Sequence, residues 1–242
     1  MLTIVGNGPS RLKYNLNELE NWWGCNQIFT DAIPDMLFCM DIPQQVDIFG
    51  RNYHHEHKVA VGGWEPMEIE YYENVKIGLS FGQGTLRDFV DTNLHDWFVV
   101  MGNEFNTELL GYSSSHKDNI VIYNIPKLKN LFTGMSAMGY AMEQGVKEIT
   151  LLGFDALQYG DVSNVYEGRD YYQTKYTLED RVFDAQRSQF IALLKEYNES
   201  KVYFKNSLDK LELVEYNELD YYESSNEWCL GEGFLSDVLD TM

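Results

Sequence analysis

Cysteine is scarce in this chain, and what there is does not pair. Cys25, Cys39 and Cys229 are odd in number, widely spaced and without a Cys-x-x-Cys motif, which argues against a disulfide framework and a cysteine zinc site and points to a reducing compartment. Basic residues are also few. Eighteen Lys and Arg face 38 Asp and Glu, a formal charge of -20 that repels nucleic-acid backbones and acidic membranes. Residues 214–242 carry eight of those carboxylates and no Lys or Arg; without them the body would still stand at -12. No apolar run approaches the roughly eighteen residues of a membrane span, and no signal-peptide pattern opens the chain. The expectation is a cytoplasmic protein with no anchor. Asp-x-Asp is absent as well, so the close carboxylate pair that metal-dependent transferases place on Mg or Mn is missing, and neither a metal nor a cofactor is expected.

What is present is a folded composition: 44% apolar and 14% aromatic residues in 242, enough for a sizeable core. The most informative stretch is Leu2-Thr-Ile-Val5, of buried-strand character, running into Gly6-Asn7-Gly8-Pro9-Ser10. Strand, glycine turn and helix start present backbone N–H groups at the carboxyl edge of a parallel sheet, where α/β proteins bind phosphates. The glycines would permit unusual backbone conformations and close ligand approach. The pattern departs from the six-residue dinucleotide fingerprint, so NAD and FAD are not indicated, and a plain strand-to-helix turn is the competing reading.

Further along, Met36 to Met40 reads as a buried strand tipped by Asp41, with Pro43 blocking its continuation. Short strands are expected at Lys58–Val61 and Val75–Leu79, a helix over 85–93 after the Gly82-Gln83-Gly84 turn, and an apolar run at 97–101. Ser136 to Gln144 has helical composition with Gly145 at its end, and 148–153 returns as a strand. Residues 159–176, with five Tyr and no steady period, suggest a loop or lid. A long amphipathic helix follows over 178–197, then a strand at 202–204, with Leu208, Leu211 and Leu213 read as a short helix or a frayed end. The architecture expected is α/β, a Rossmann-like mostly parallel sheet with flanking helices and a small lid. Its parts would be a nucleotide-sugar-binding core (1–158 plus 178–213), a lid-like loop (159–177) and an acidic C-terminal segment (214–242).

Six fragments, in order and at similar spacing, resemble the bacterial sialyltransferases of glycosyltransferase family 42. They are Gly6-Asn7-Gly8-Pro9-Ser10, Cys25-Asn26-Gln27, Thr133-Gly134, Gly145-Val146-Lys147-Glu148-Ile149, Gly153-Phe154-Asp155 and Asn206-Ser207-Leu208. The resemblance implies metal-independent inverting transfer of a sialic-acid-like sugar from a CMP-activated or other nucleotide-activated donor to a hydroxyl acceptor. It puts Asn7, Gly8 and Ser10 near the phosphate and sugar, Asn26 near the same phosphate, Thr133 and Gly134 along the nucleotide, and Asp155 in the donor pocket. Asp41 stands where the family has an asparagine, suited to a ribose or sugar hydroxyl.

The catalytic half departs from the family. One of its two phosphate-stabilising tyrosines falls on Leu157, with Tyr159 two residues on, and the other is approximated by Tyr166. No histidine follows His116; Glu179 and Asp180 stand near the position of the family's histidine base, and either carboxylate would serve, or both simply begin the long helix. Arg169 and Lys175 would contact the donor or face water. The acceptor would be a glycan, another hydroxyl or, against the charge, a modified base. The run His54-His55-Glu56-His57 has no distant partners to complete a zinc site and reads as an exposed loop. Two other classes stay open: a Mg-dependent diphosphokinase-like phosphotransferase, because the opening loop also resembles proteins of that kind, and a noncatalytic nucleotide-binding protein.

Overall fold

The computed structural model describes residues 1–62, 64–66, 76–79, 82–85, 97–103, 106–112, 119–123, 132–159, 163–169, 180–205 and 211–214. In chain order its strands and helices are β1 (Leu2–Val5), β2 (Trp22–Cys25), β3 (Met36–Cys39), α1 (Ile42–Gly50), β4 (Val59–Val61), β5 (Trp64–Pro66), β6 (Lys76–Leu79) and β7 (Gly82–Thr85). They continue with β8 (Trp97–Asn103), β9 (Asn106–Tyr112), β10 (Ile120–Ile122), α2 (Thr133–Glu143), β11 (Glu148–Leu152), α3 (Asp155–Tyr159), α4 (Asp180–Glu196), β12 (Lys201–Lys205) and β13 (Leu211–Leu213). The chain divides into two compact units, residues 1–40 with 125–242, and residues 41–124. Residues 41–124, expected from the sequence to be part of one core, form a unit of their own.

The first unit is a Rossmann-like α/β sheet. Its strands run in the order β3-β2-β1-β11-β12-β13, parallel throughout except for β13. Parallel strands are covered on both faces and so read as continuous apolar runs. Accordingly all of Met36 to Cys39 is buried, as are Ile149 to Leu152, including the hydroxyl-bearing Thr150. Helix α2 is buried almost all round, through Met135, Ala137, Met138, Ala141 and Met142. Tyr140 packs its ring 5.8 Å from both Trp23 and Phe38, tying the helix to β2 and β3. Gly145, just past the helix end, has φ +77 with open space around it, so its role is the left-handed turn that feeds β11. Helix α4 buries Phe190, Ile191, Leu193 and Leu194, and the Gln189 side chain accepts from the Phe132 N–H at 2.9 Å, where α2 begins.

The second unit holds α1, the parallel pair β4–β10, the antiparallel sheet β5-β8-β9 and the β6–β7 hairpin. Pro43 does not merely end β3; it lies in the first turn of α1, where a missing N–H costs nothing. The Gly82-Gln83-Gly84 segment is not a turn but most of strand β7, paired with β6, and the helix expected beyond Thr85 falls outside the described residues. His54 is buried, edge-on to Phe49 at 4.8 Å and to His55 at 4.5 Å, with the Asn119 amide donating to the His54 carbonyl at 3.0 Å.

Residues 26–30 form a 3-10 turn after β2. One expectation for the first unit is corrected. Leu211 and Leu213 are neither helical nor frayed: Leu-Glu-Leu alternates as β13, antiparallel to β12, because the exposed strand edge supplies backbone partners that a helix of three residues could not.

Candidate functional site

In the order β3-β2-β1-β11-β12 the chain builds outward from β1 on one side, then returns to β11 on the other. The carboxyl ends of β1 and β11 therefore flank the reversal of strand order, where open α/β sheets bind ligands. The Gly6–Ser10 loop leaves β1 there and Gly153-Phe154-Asp155 leaves β11. The two loops are joined directly: the Gly6 N–H donates to the Leu152 carbonyl at 2.8 Å and the Gly8 N–H to the Gly153 carbonyl at 2.9 Å.

Asp155 completes the junction. It is buried, and accepts from both the Ser10 N–H (3.0 Å) and the Ser10 hydroxyl (2.7 Å). A Cβ on Gly8 would fall on the Asp155 carboxylate, and one on Gly6 would lie 2.6 Å from the Gly153 carbonyl oxygen. Gly8 has φ -70 and ψ 154, ordinary extended backbone. The left-handed glycines among the described residues are 145, 153 and 168. The expected conformational freedom of the loop glycines is thus unused; what they supply is space, and the group that takes it is the neighbouring loop.

Across β1 from this junction, Asn26 follows β2 with φ 55, a left-handed conformation that asparagine tolerates well. Its Oδ1 accepts from the Thr133 hydroxyl at 3.1 Å, while the Thr133 oxygen accepts from the Met40 N–H at 3.4 Å, just past β3. Gly134 sits against Phe154, with 2.6 Å between the ring and the place a Cβ would occupy. The first turn of α2 thereby touches the loops after β2, β3 and β11. Phe132, at its N-cap, provides no side-chain cap, so that helix start relies on other groups for its orphan donors. Asn7, Gly8, Ser10, Asn26, Thr133, Gly134 and Asp155 accordingly gather at one edge of the first unit. Asp41 belongs to the second unit, where it is the exposed N-cap of α1, with the Gln44 amide 3.4 Å from its Oδ2.

An ionic network of buried Arg11 and Tyr166 with the more exposed Asp31 stands beside the loop, and the sequence does not announce it. Arg11, only 2% exposed, places Nη2 at 2.7 Å from Asp31 Oδ2 and donates to the Tyr166 hydroxyl at 2.7 Å, and that hydroxyl in turn donates to Asp31 Oδ2 at 2.7 Å. Burial raises the Tyr166 phenol, and its hydrogen bond to the Asp31 carboxylate raises it further, so it stays protonated. Partial burial opposes ionisation of Asp31, but the hydrogen bonds from Tyr166 and Arg11 and the charges of Arg11 and Arg169 outweigh it and hold the carboxyl below its usual range. Cys25, buried nearby, is pushed up to about 12 by desolvation against the opposing charge of Arg11, and is an inert thiol. The segment 163–169 is laid on the loop by the Val165 N–H donating to the Asn7 carbonyl at 2.9 Å. Neither Arg11 nor Asp31 has a local signature, since the partner that makes sense of them lies 135 residues or more away.

Of the four residues expected to carry catalysis, Tyr166 is therefore committed to the Arg11–Asp31 network. Tyr159 ends α3 and Asp180 begins α4, while Glu179 lies outside the described residues, as does Lys175. Among the described residues no group of three or more His, Cys, Asp or Glu side chains is arranged to hold a metal ion, and no helix is long and apolar enough to cross a membrane. No protein-family model, curated protein or solved structure matches this chain.

Proposed function

We propose that the protein is a glycosyltransferase that moves a sialic-acid-like sugar from a CMP-activated or other nucleotide-activated donor to a hydroxyl acceptor. The observation that carries this reading is the convergence of Asn7, Gly8, Ser10, Asn26, Thr133, Gly134 and Asp155 around the first turn of α2, at the reversal of strand order. Short polar side chains fixed in pairs are suited to a nucleotide, because their geometry is set before the ligand arrives. The Thr133 hydroxyl fixes the Asn26 amide with Oδ1 as acceptor, which orients that side chain at the edge before a ligand arrives. The Ser10–Asp155 pair spends both Ser10 donors internally, and in this reading it holds the loop in shape while the loop's remaining polar groups meet the donor.

Inverting transfer requires a base on one face of the sugar and stabilisation of the departing phosphate on the other. Asp180 or Glu179 would take the acceptor proton as its oxygen bonds to the anomeric carbon and the sugar–phosphate bond breaks, releasing the nucleotide monophosphate. Tyr159 is the remaining tyrosine for the departing phosphate, Tyr166 being occupied. The test is release of CMP from CMP-sialic acid, with a panel of other nucleotide sugars, in the presence of EDTA. Turnover is expected to persist in EDTA. Removing the base, by Asp180→Asn or Glu179→Gln, is expected to slow it by about a hundredfold or more. Absence of turnover with every donor, or turnover only on addition of Mg, would contradict the reading.

A further inference from the structure

A chain of net charge -20 repels a phosphate group unless a cation is placed beside it. Arg11 is closest to the Gly6–Ser10 loop in sequence, but its Nη2 is engaged by Asp31 and Tyr166 and the residue is sealed from solvent. Arg169 is placed differently. It is exposed, its Cζ stands 4.8 Å from the centroid of the Tyr166 ring, and its charge also acts on Asp31. A guanidinium held over an aromatic ring by a cation–π contact still carries the planar fork of donors that matches two phosphate oxygens.

Its position is not that of a loose surface side chain. The Arg169 N–H donates to the Tyr166 carbonyl at 3.0 Å, and Asn164 accepts from the Tyr166 and Glu167 N–H groups, closing a compact turn over 164–169. Val165 ties that turn to Asn7 within the loop, and the Tyr166 side chain is pinned from below by Arg11 and Asp31. We propose that Arg169 is the cation that contacts the donor's phosphate, and that the Arg11–Asp31–Tyr166 network is the positioning device that holds it beside the Gly6–Ser10 loop. This rests on the nucleotide-sugar reading above. It gives Tyr166 a role in binding without requiring its hydroxyl to reach the phosphate.

Titration calorimetry on the full chain tests it with matched probes: CMP against cytidine, and the uridine, adenosine and guanosine pairs in parallel. The wild type is expected to bind one monophosphate more tightly than its nucleoside. Arg169→Ala should weaken the monophosphate about tenfold, leave the nucleoside unchanged and flatten the salt dependence of monophosphate binding. Tyr166→Phe should do the same to a smaller degree, with the far-ultraviolet dichroism of both variants unaltered. Arg169→Ala affinity for the monophosphate within twofold of wild type overturns the proposal, and so does an equal loss for nucleotide and nucleoside, which would mark a structural role. If the wild type binds none of the eight probes, the donor-site reading itself fails, and the role of Arg169 falls with it.

Discussion

Gly8 and Asp155 show how one residue's absence of a side chain sets another's chemistry. The space a Cβ would fill is occupied by the Asp155 carboxylate, which then reaches both donors of Ser10. Asp31 plays a comparable part for Arg11 and Tyr166. Substituting Asp31→Asn should cost about 2 kcal/mol at neutral pH, the scale of hydrogen bonds to a charged group, because Arg11 would lose its counter-charge while staying buried. The pH dependence follows from the direction of the shift. Asp31 is lowered in the folded state, so its contribution is complete above the ordinary value of 3.8 and disappears as pH falls through the lower folded value. Denaturant unfolding of wild type and Asp31→Asn should therefore show a constant gap from about pH 5 to 7 that narrows below pH 4. A gap independent of pH down to 2 would show that the carboxylate charge is not what holds the network.

At the level of elements, the strands that announce themselves are those buried on both faces. Leu2 to Val5, Met36 to Cys39 and Glu148 to Leu152 are legible because parallel pairing demands apolar runs bounded by turn residues. The Gly6–Ser10 loop and helix α2 are legible from local turn and composition signals, whereas Gly82-Gln83-Gly84 reads as a turn and is a strand. Strand β13 and helix α1 were not: the first exists only because β12 offers an edge, and the second begins on a proline that reads equally as a strand stopper. Helix α2 also carries a testable packing constraint at Gly134. Alanine there gains roughly 1 kcal/mol of helix propensity, yet its Cβ would stand 2.6 Å from the Phe154 ring, a clash of the kind that costs about 1–3 kcal/mol. Gly134→Ala should lower stability by about 1 kcal/mol in urea unfolding; a more stable variant would mean that Phe154 yields freely.

For the molecule as a whole, the candidate donor-binding wall was more legible than the catalytic one. Asn7, Ser10, Asn26, Thr133 and Asp155 lie beside turns in short recognisable fragments, and the topology of the first unit gathers them. Arg11, Asp31 and Tyr166 act through contacts between distant parts of the chain, which periodicity and local motifs do not encode. We propose that this gathered edge binds CMP or another nucleotide, free or as its sugar conjugate, without a metal. It is tested most directly by thermal denaturation in the presence of CMP, UDP, GDP, ADP and ATP and the corresponding sugar nucleotides, each with Mg and with EDTA. CMP and the CMP-sugar are expected to raise the melting temperature most, by the equivalent of about 2.7 kcal/mol at a hundred times the dissociation constant, and equally in EDTA. Stabilisation by ATP alone, and only with Mg present, would contradict it.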